Sequence, residues 1–172
     1  TQSTESEMPI WVKNRFGNVS SLVYDGTDDQ LIVADDSSLS FTDNTFQMFI
    51  TANSDDPNAE QGLLGKRSSW EYSIWKESPG GGNLIFTSWN LGGADVYADI
   101  MLTNLDSNNS IYSWGANGVK ADLYNNGFFH GFVNKSANSL ADGNQPLIIG
   151  FGGNAAPDGY WNGTISDIIF YA

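Results

Sequence analysis

Lys120-Ala121-Asp122-Leu123-Tyr124-Asn125-Asn126-Gly127-Phe128-Phe129-His130-Gly131-Phe132-Val133 reads as two short apolar-rich segments joined by Asn126-Gly127. Asn-Gly is the preferred pair for a two-residue type I′ turn, because both positions need φ > 0 and these residues tolerate it. The stretch therefore predicts an antiparallel hairpin of 120–124 against 128–133. Asn117-Gly118 lies just upstream between apolar-rich segments and adds 110–116 to the same meander. Working outward, no helical period is sustained over about 11 residues; apolar residues alternate or form short runs cut by Gly, Asn, Asp and Pro. Further candidate strands are 20–24, 30–33, 45–51, 62–66, 71–76, 83–89, 94–103, 146–151 and 163–171. A dozen strands predicts two packed antiparallel sheets.

Composition agrees with that class. The chain has 172 residues, enough for one sizeable core, and is 40% hydrophobic and 16% charged, too apolar for disorder. Its 19 glycines suit tight turns, and its 10 Phe, 7 Tyr and 6 Trp suit a core of large rings between two sheets. Apolar runs such as Leu147-Ile148-Ile149 fall far short of the roughly 20 residues of a spanning helix, so no membrane segment is expected. The net charge of −13, from 20 acidic and 7 basic residues without a basic cluster, would repel a phosphate backbone and argues against nucleic acid. The absence of cysteine excludes disulfides, thiolate metal sites and thiol nucleophiles. Residues 1–9 form a polar arm lacking the apolar stretch of a secretory signal, and 10–172 form the single domain. The expectation for its ends is a complete chain whose initiator Met was removed, the alternative being a module cut from a longer protein.

Three ordered motifs carry a resemblance. Ser21-Leu22-Val23-Tyr24-Asp25-Gly26-Thr27-Asp28-Asp29-Gln30-Leu31-Ile32-Val33, followed by Ser38-Leu39-Ser40-Phe41 and Phe46-Gln47-Met48-Phe49-Ile50, resembles the opening of concanavalin A-like domains of the laminin G-like type. Ala121-Asp122-Leu123-Tyr124-Asn125-Asn126-Gly127 is similar to their L-Y-V-N-G hairpin. Pro146-Leu147-Ile148-Ile149-Gly150 and Gly159-Tyr160-Trp161-Asn162-Gly163-Thr164-Ile165-Ser166-Asp167-Ile168-Ile169-Phe170-Tyr171 resemble their closing strands. The chain departs from the type in lacking W-H-H-V-A before the hairpin, and in carrying Ser166-Asp167 where the type has an acidic pair. The resemblance implies an all-β, two-sheet antiparallel jelly-roll sandwich, used mostly to bind glycans or proteins and in some branches to cleave sugars. Fold alone does not choose among these.

Residue chemistry argues for binding without catalysis. Glycoside cleavage needs two carboxylates about 5–9.5 Å apart. Glucanases of this fold set theirs on one strand in an E-x-D-x-x-E pattern, and none of Glu5, Glu7, Glu60, Glu71 and Glu77 begins one. Asp95 and Asp99 could share a strand face, but one such pair is ordinarily solvated surface. His130 is the sole histidine, so no two-His metal site exists, and its flanks Phe129 and Gly131 suggest a packed strand residue.

Hard oxygen ligands for Ca²⁺ occur at Asp25/Asp28/Asp29, Asp35/Asp36 and Asp55/Asp56. If the last strand pairs beside the first, as the resemblance implies, Asp25, Asp28 and Asp167 could hold a structural Ca²⁺; otherwise these aspartates bond turn amides. For sugar the candidates are Trp89 with Asn90 and Trp114 with Asn117, an aromatic ring lying under the apolar sugar face and an amide reaching its hydroxyls. The competing reading of each Trp is core packing, and Trp161 is assigned to the core.

Two functions follow as expectations. One is a virion structural or attachment protein, a phage decoration, fibre or tail-associated component that meets other virion proteins or cell-surface glycan, with a homo-oligomer as one state. The other is a carbohydrate-binding module of a secreted, extracellular glycan-degrading enzyme.

Overall fold

The computed structural model describes residues 4–16, 18–41, 45–56, 59–66, 71–76, 84–89, 95–99, 110–117, 120–134, 144–151 and 159–171. Its strands make two antiparallel sheets. The seven-stranded sheet has the order β1 (Ile10–Phe16), β2 (Val19–Asp25), β13 (Asn162–Tyr171), β4 (Thr45–Ser54), β9 (Ser110–Asn117), β10 (Lys120–Asn125), β11 (Phe128–Asn134). The six-stranded sheet has the order β3 (Leu31–Val33), β12 (Leu147–Ile149), β5 (Gln61–Lys66), β6 (Tyr72–Lys76), β7 (Leu84–Trp89), β8 (Asp95–Asp99). This is the two-sheet sandwich expected from the sequence.

The Asn126-Gly127 hairpin forms as expected. Asn126 and Gly127 have φ of 51° and 80°, the left-handed pair a type I′ turn requires. The Asn126 side chain also accepts a hydrogen bond from the Ile111 amide at 2.9 Å, tying the turn to β9. The last strand does lie beside β2, with Asn162 opposite Asp25 and Ile165 opposite Leu22.

Alternation places the core. Along β4, Phe46, Met48, Ile50 and Ala52 are buried and turned inward, as are Tyr112, Trp114 and Ala116 along β9. They form one cluster with Leu63, Leu64, Tyr72 and Ile74 of the facing sheet, each buried Leu or Ile contributing about 1.5–3 kcal/mol. Leu63 and Leu64 are adjacent yet both buried because the β5–β6 register shifts between Gly62 and Leu64, a bulge that turns Leu63 inward. Phe41 bridges the layers, its ring 4.7 Å from Phe46 and 5.2 Å from Tyr72. Trp161 is fully buried, as expected. Gly150, at φ 87°, passes so close to Tyr24 that a Cβ there would overlap the ring.

β1 was not legible as a strand. It is an edge strand with Ile10 68% and Trp11 62% exposed, and its pairing with β2 is irregular between Val12 and Phe16, so no alternation marks it. Before β1, Glu5–Glu7 form a 3-10 turn. The Glu7 carbonyl accepts the Gln30 amide at 3.0 Å, holding this segment against the approach to β3.

Charge is also buried, at the ends of β5 and β6. The Lys66 ammonium, fully buried, lies 2.7 Å from Asp35 and 3.1 Å from Glu71, and donates to the Ser40 hydroxyl at 2.9 Å. Its three protons are thereby used. Lys76, equally buried, donates to the Asp56 carbonyl, and burial pushes its pKa down to about 8 despite the opposing pull of the Asp56 charge.

Candidate functional site

The inward turn of Met48, Ile50, Tyr112, Trp114 and Leu123 sends their neighbours to the outer face of the seven-stranded sheet. There Ile169, Phe49, Ser113, Tyr124 and Phe129 stand opposite one another in sequence across β13, β4, β9, β10 and β11. With strands about 4.8 Å apart, Phe49 and Phe129 are separated by roughly 14 Å across the sheet. One step along, Tyr171, Gln47, Gly115, Asp122 and Phe132 form a second row, with polar groups between the rings. A third row holds Asp167, Thr51 and Ile111.

The rings are exposed and braced against one another. Phe49 is 36% exposed, Phe129 56% and Tyr171 60%. Tyr124 meets Phe129 edge-on at 5.5 Å, Phe49 meets Tyr171 edge-on at 6.1 Å, and the Lys120 ammonium lies 4.6 Å over Phe132. Ser113 is buried between its partners Phe49 and Tyr124. Exposed apolar groups gathered on one face, interleaved with polar ones, mark an interaction surface.

The residues expected from sequence fare unequally. Trp114 is a correction: at 1% exposure, packed 5.9 Å from Tyr112, it belongs to the core and can stack under no sugar. Its companion Asn117 is exposed at the end of β9, its side chain accepting the Lys120 amide at 3.2 Å. Asn90 and the Trp89 side chain lie outside the described residues, as do the Asp95 and Asp99 side chains. His130 is exposed, not packed: Leu123 pairs with Gly131 and Tyr124 with Phe129, leaving His130 as the extra residue of a bulge.

The acidic turn also differs from expectation. Asp25, Asp28 and Asp29 each bring a carboxylate oxygen within 4.8 Å of the others. Asp167 is not among them. Asn162, not Asp167, is opposite Asp25, and five residues of strand carry Asp167 roughly 16 Å away. Asp29 takes its place; its carboxylate accepts the Asp25 amide at 2.8 Å, and Asp25 accepts the Thr27 amide at 2.7 Å. Burial raises the Asp29 pKa, the Asp25 amide opposes the rise, and the neighbouring Asp25 and Asp28 charges add to it. These three residues could hold a divalent cation.

Comparison with solved structures places the architecture. Domain 4 of AbnA, an extracellular GH43 arabinanase from Geobacillus stearothermophilus solved with arabinotriose, superposes with TM-score 0.71 at 13% identity over 98% of this chain and 77% of that one. The mouse laminin α1 LG4-5 domains match with TM-score 0.64 at 14% identity over 87% of this chain and 40% of theirs. The fold is the concanavalin A-like, laminin G-like sandwich. Another sandwich of this kind, the CBM40 of a Ruminococcus gnavus sialidase, matches with TM-score 0.66 at 11% identity over 94% of this chain and 91% of that one. Against the laminin pair the present chain spans under half the length of its match. No protein-family model and no curated protein matches the sequence. At these identities the likeness fixes the laminin G-like fold, and function is argued from the site.

Proposed function

We propose that this chain is a non-catalytic glycan-binding domain that uses the outer face of its seven-stranded sheet. The observation that carries the reading is the aromatic row of exposed Phe49, half-buried Tyr124 and exposed Phe129, the last two in edge-on contact, with Gln47 and Asp122 in the next row. A sugar ring presents C–H groups on its faces and hydroxyls around its rim. Rings spread over about 14 Å offer stacking for separate sugars of one chain, and the adjacent amide and carboxylate accept from their hydroxyls. That AbnA domain 4 was solved with arabinotriose, and that the sialidase domain is a carbohydrate-binding module, supports this use of the fold.

The same face is unsuited to glycoside cleavage. Its described carboxylates, Asp122 on β10 and Asp167 on β13, are three strand spacings apart. That is about 14 Å before any offset along the strands, beyond the roughly 5–9.5 Å that cleavage needs. Glu71 is committed to Lys66 in the interior.

Glycan binding serves either biological setting expected from the sequence, a virion attachment protein or a module of a secreted glycan-degrading enzyme. Neighbouring capsid or tail genes would favour the first, a contiguous hydrolase domain the second. The test of the reading is a glycan array with the wild type and with Tyr124→Ala/Phe129→Ala. Binding by the wild type that the variant loses, at unchanged circular dichroism, is expected. Silence of the wild type across the array would remove the reading.

A further inference from the structure

We infer that the glycan taken by this face is uncharged, an inference that rests on the glycan-binding reading above. The chain sets 7 basic residues against 20 acidic ones, and the described cations are engaged or remote. Lys66 is held between Asp35 and Glu71, and Lys76 lies beneath the Asp56 carbonyl. The Arg15 guanidinium is 3.7 Å from Asp55, just past the end of β4 and six residues along from Phe49, and Lys13 is on the edge strand β1, across β2 and β13 from the aromatic row. On the platform itself the described charges are Lys120, whose ammonium sits over the Phe132 ring, and two carboxylates, Asp122 and Asp167.

A sialylated, sulfated or uronic-acid sugar would bring its anion to this acidic face of a chain at −13. Among the described residues no guanidinium stands on the platform to receive it in the paired geometry that favours carboxylate and sulfate. Asp122 would repel an anion stacked on Tyr124, because the two lie on one face of β10, within the roughly 8 Å screening length at physiological ionic strength. A neutral sugar reverses the sign of each effect. Along a neutral oligosaccharide, hydroxyls of different sugars donate to Asp122, Asp167 and Gln47, and C–H faces of different sugars lie on Phe49 and Tyr124. The carboxylates that exclude one ligand class therefore hold the other.

The test is an array carrying neutral arabinans, glucans, mannans and galactans beside sialylated, sulfated and uronic-acid glycans, followed by titration of a neutral hit and its sialylated counterpart at low and high salt. Signal on neutral glycans is expected, with the sialylated counterpart weaker by roughly tenfold or more and the gap narrowing as salt rises. Asp122→Lys/Asp167→Lys is expected to narrow that ratio at fixed salt. Equal or stronger binding of anionic glycans, or a ratio unmoved by the charge reversal, overturns the inference and leaves the glycan reading standing. Silence on all glycans overturns both.

Discussion

Replacing Lys66 by Met removes the centre of a buried charge network at nearly constant side-chain length. Lys66 is 0% and Glu71 1% exposed, whereas Asp35, at 33%, can turn to water. The variant therefore strands mainly Glu71, which keeps the Ser40 hydroxyl at 3.2 Å but loses the ammonium opposite it. Removing one partner of a buried pair costs about 3–5 kcal/mol. For a chain of this size each kcal/mol moves the melting temperature by about 2–4 °C, so a fall of roughly 6–20 °C is expected. Glu71→Gln should cost less, about 1.5–3 kcal/mol, because Asp35 and Ser40 still receive the ammonium. The double variant Lys66→Met/Glu71→Leu should recover most of the loss, since no charge then remains in the dry position. Urea unfolding of all three, followed by circular dichroism at neutral pH, checks the set. A Lys66→Met loss below about 1 kcal/mol, or a double variant no better than that single one, would refute the reasoning.

Stability should depend on pH through Lys76. Its folded pKa of about 8 lies below the ordinary 10.5, so from pH 8 upward the unfolded chain holds more protons and stability rises, by up to about 1.4 kcal/mol per unit. Burial raises the Tyr24 and Tyr72 phenols above 10, so above that pH the unfolded chain loses protons the folded one keeps, and stability falls again. Urea midpoints across pH 7–11 should show this maximum, and Lys76→Met should flatten its rising limb; an identical profile would dismiss the assignment. Gly150→Ala combines a left-handed backbone with overlap of the Tyr24 ring and should cost about 2–4 kcal/mol in urea melts; a cost within error of zero would show that Tyr24 moves freely. The calcium expected from the sequence, proposed here at Asp25, Asp28 and Asp29, should raise the melting temperature and release Asp29 from its like-charged neighbours. Asp29→Asn should abolish the effect, and no shift between calcium and chelator would remove the metal.

Much of the sandwich was legible because its signals are local. Asn-Gly demands φ > 0 wherever it joins two strands, and the alternation of Phe46, Met48, Ile50 and Ala52 marks an inner face without any partner in view. The platform was less legible, although part of its signal was present. Tyr112, Trp114 and Ala116 share one parity and Ile111, Ser113 and Gly115 the other, and that count alone assigns Trp114 to the core. Two bulges hid the rest. The extra residue at His130 shifts Phe129 against Phe132 along β11, and the shift between Ile165 and Asp167 changes which residues of β13 look outward. Register across strands distant in sequence decided Asp167 as well, because its distance from Asp25 depends on which residue of β13 meets β2. The Lys66 network joins residues 31 apart and leaves no mark in composition or spacing.

The most direct test of glycan binding on the sheet face is to titrate isotope-labelled protein with the strongest neutral oligosaccharide from the array while following backbone amide shifts. Shifts centred on Phe49, Ser113, Tyr124, Phe129 and Tyr171 are expected. Shifts confined to the Asp25–Asp29 turn or to the β3–β12 edge would contradict it.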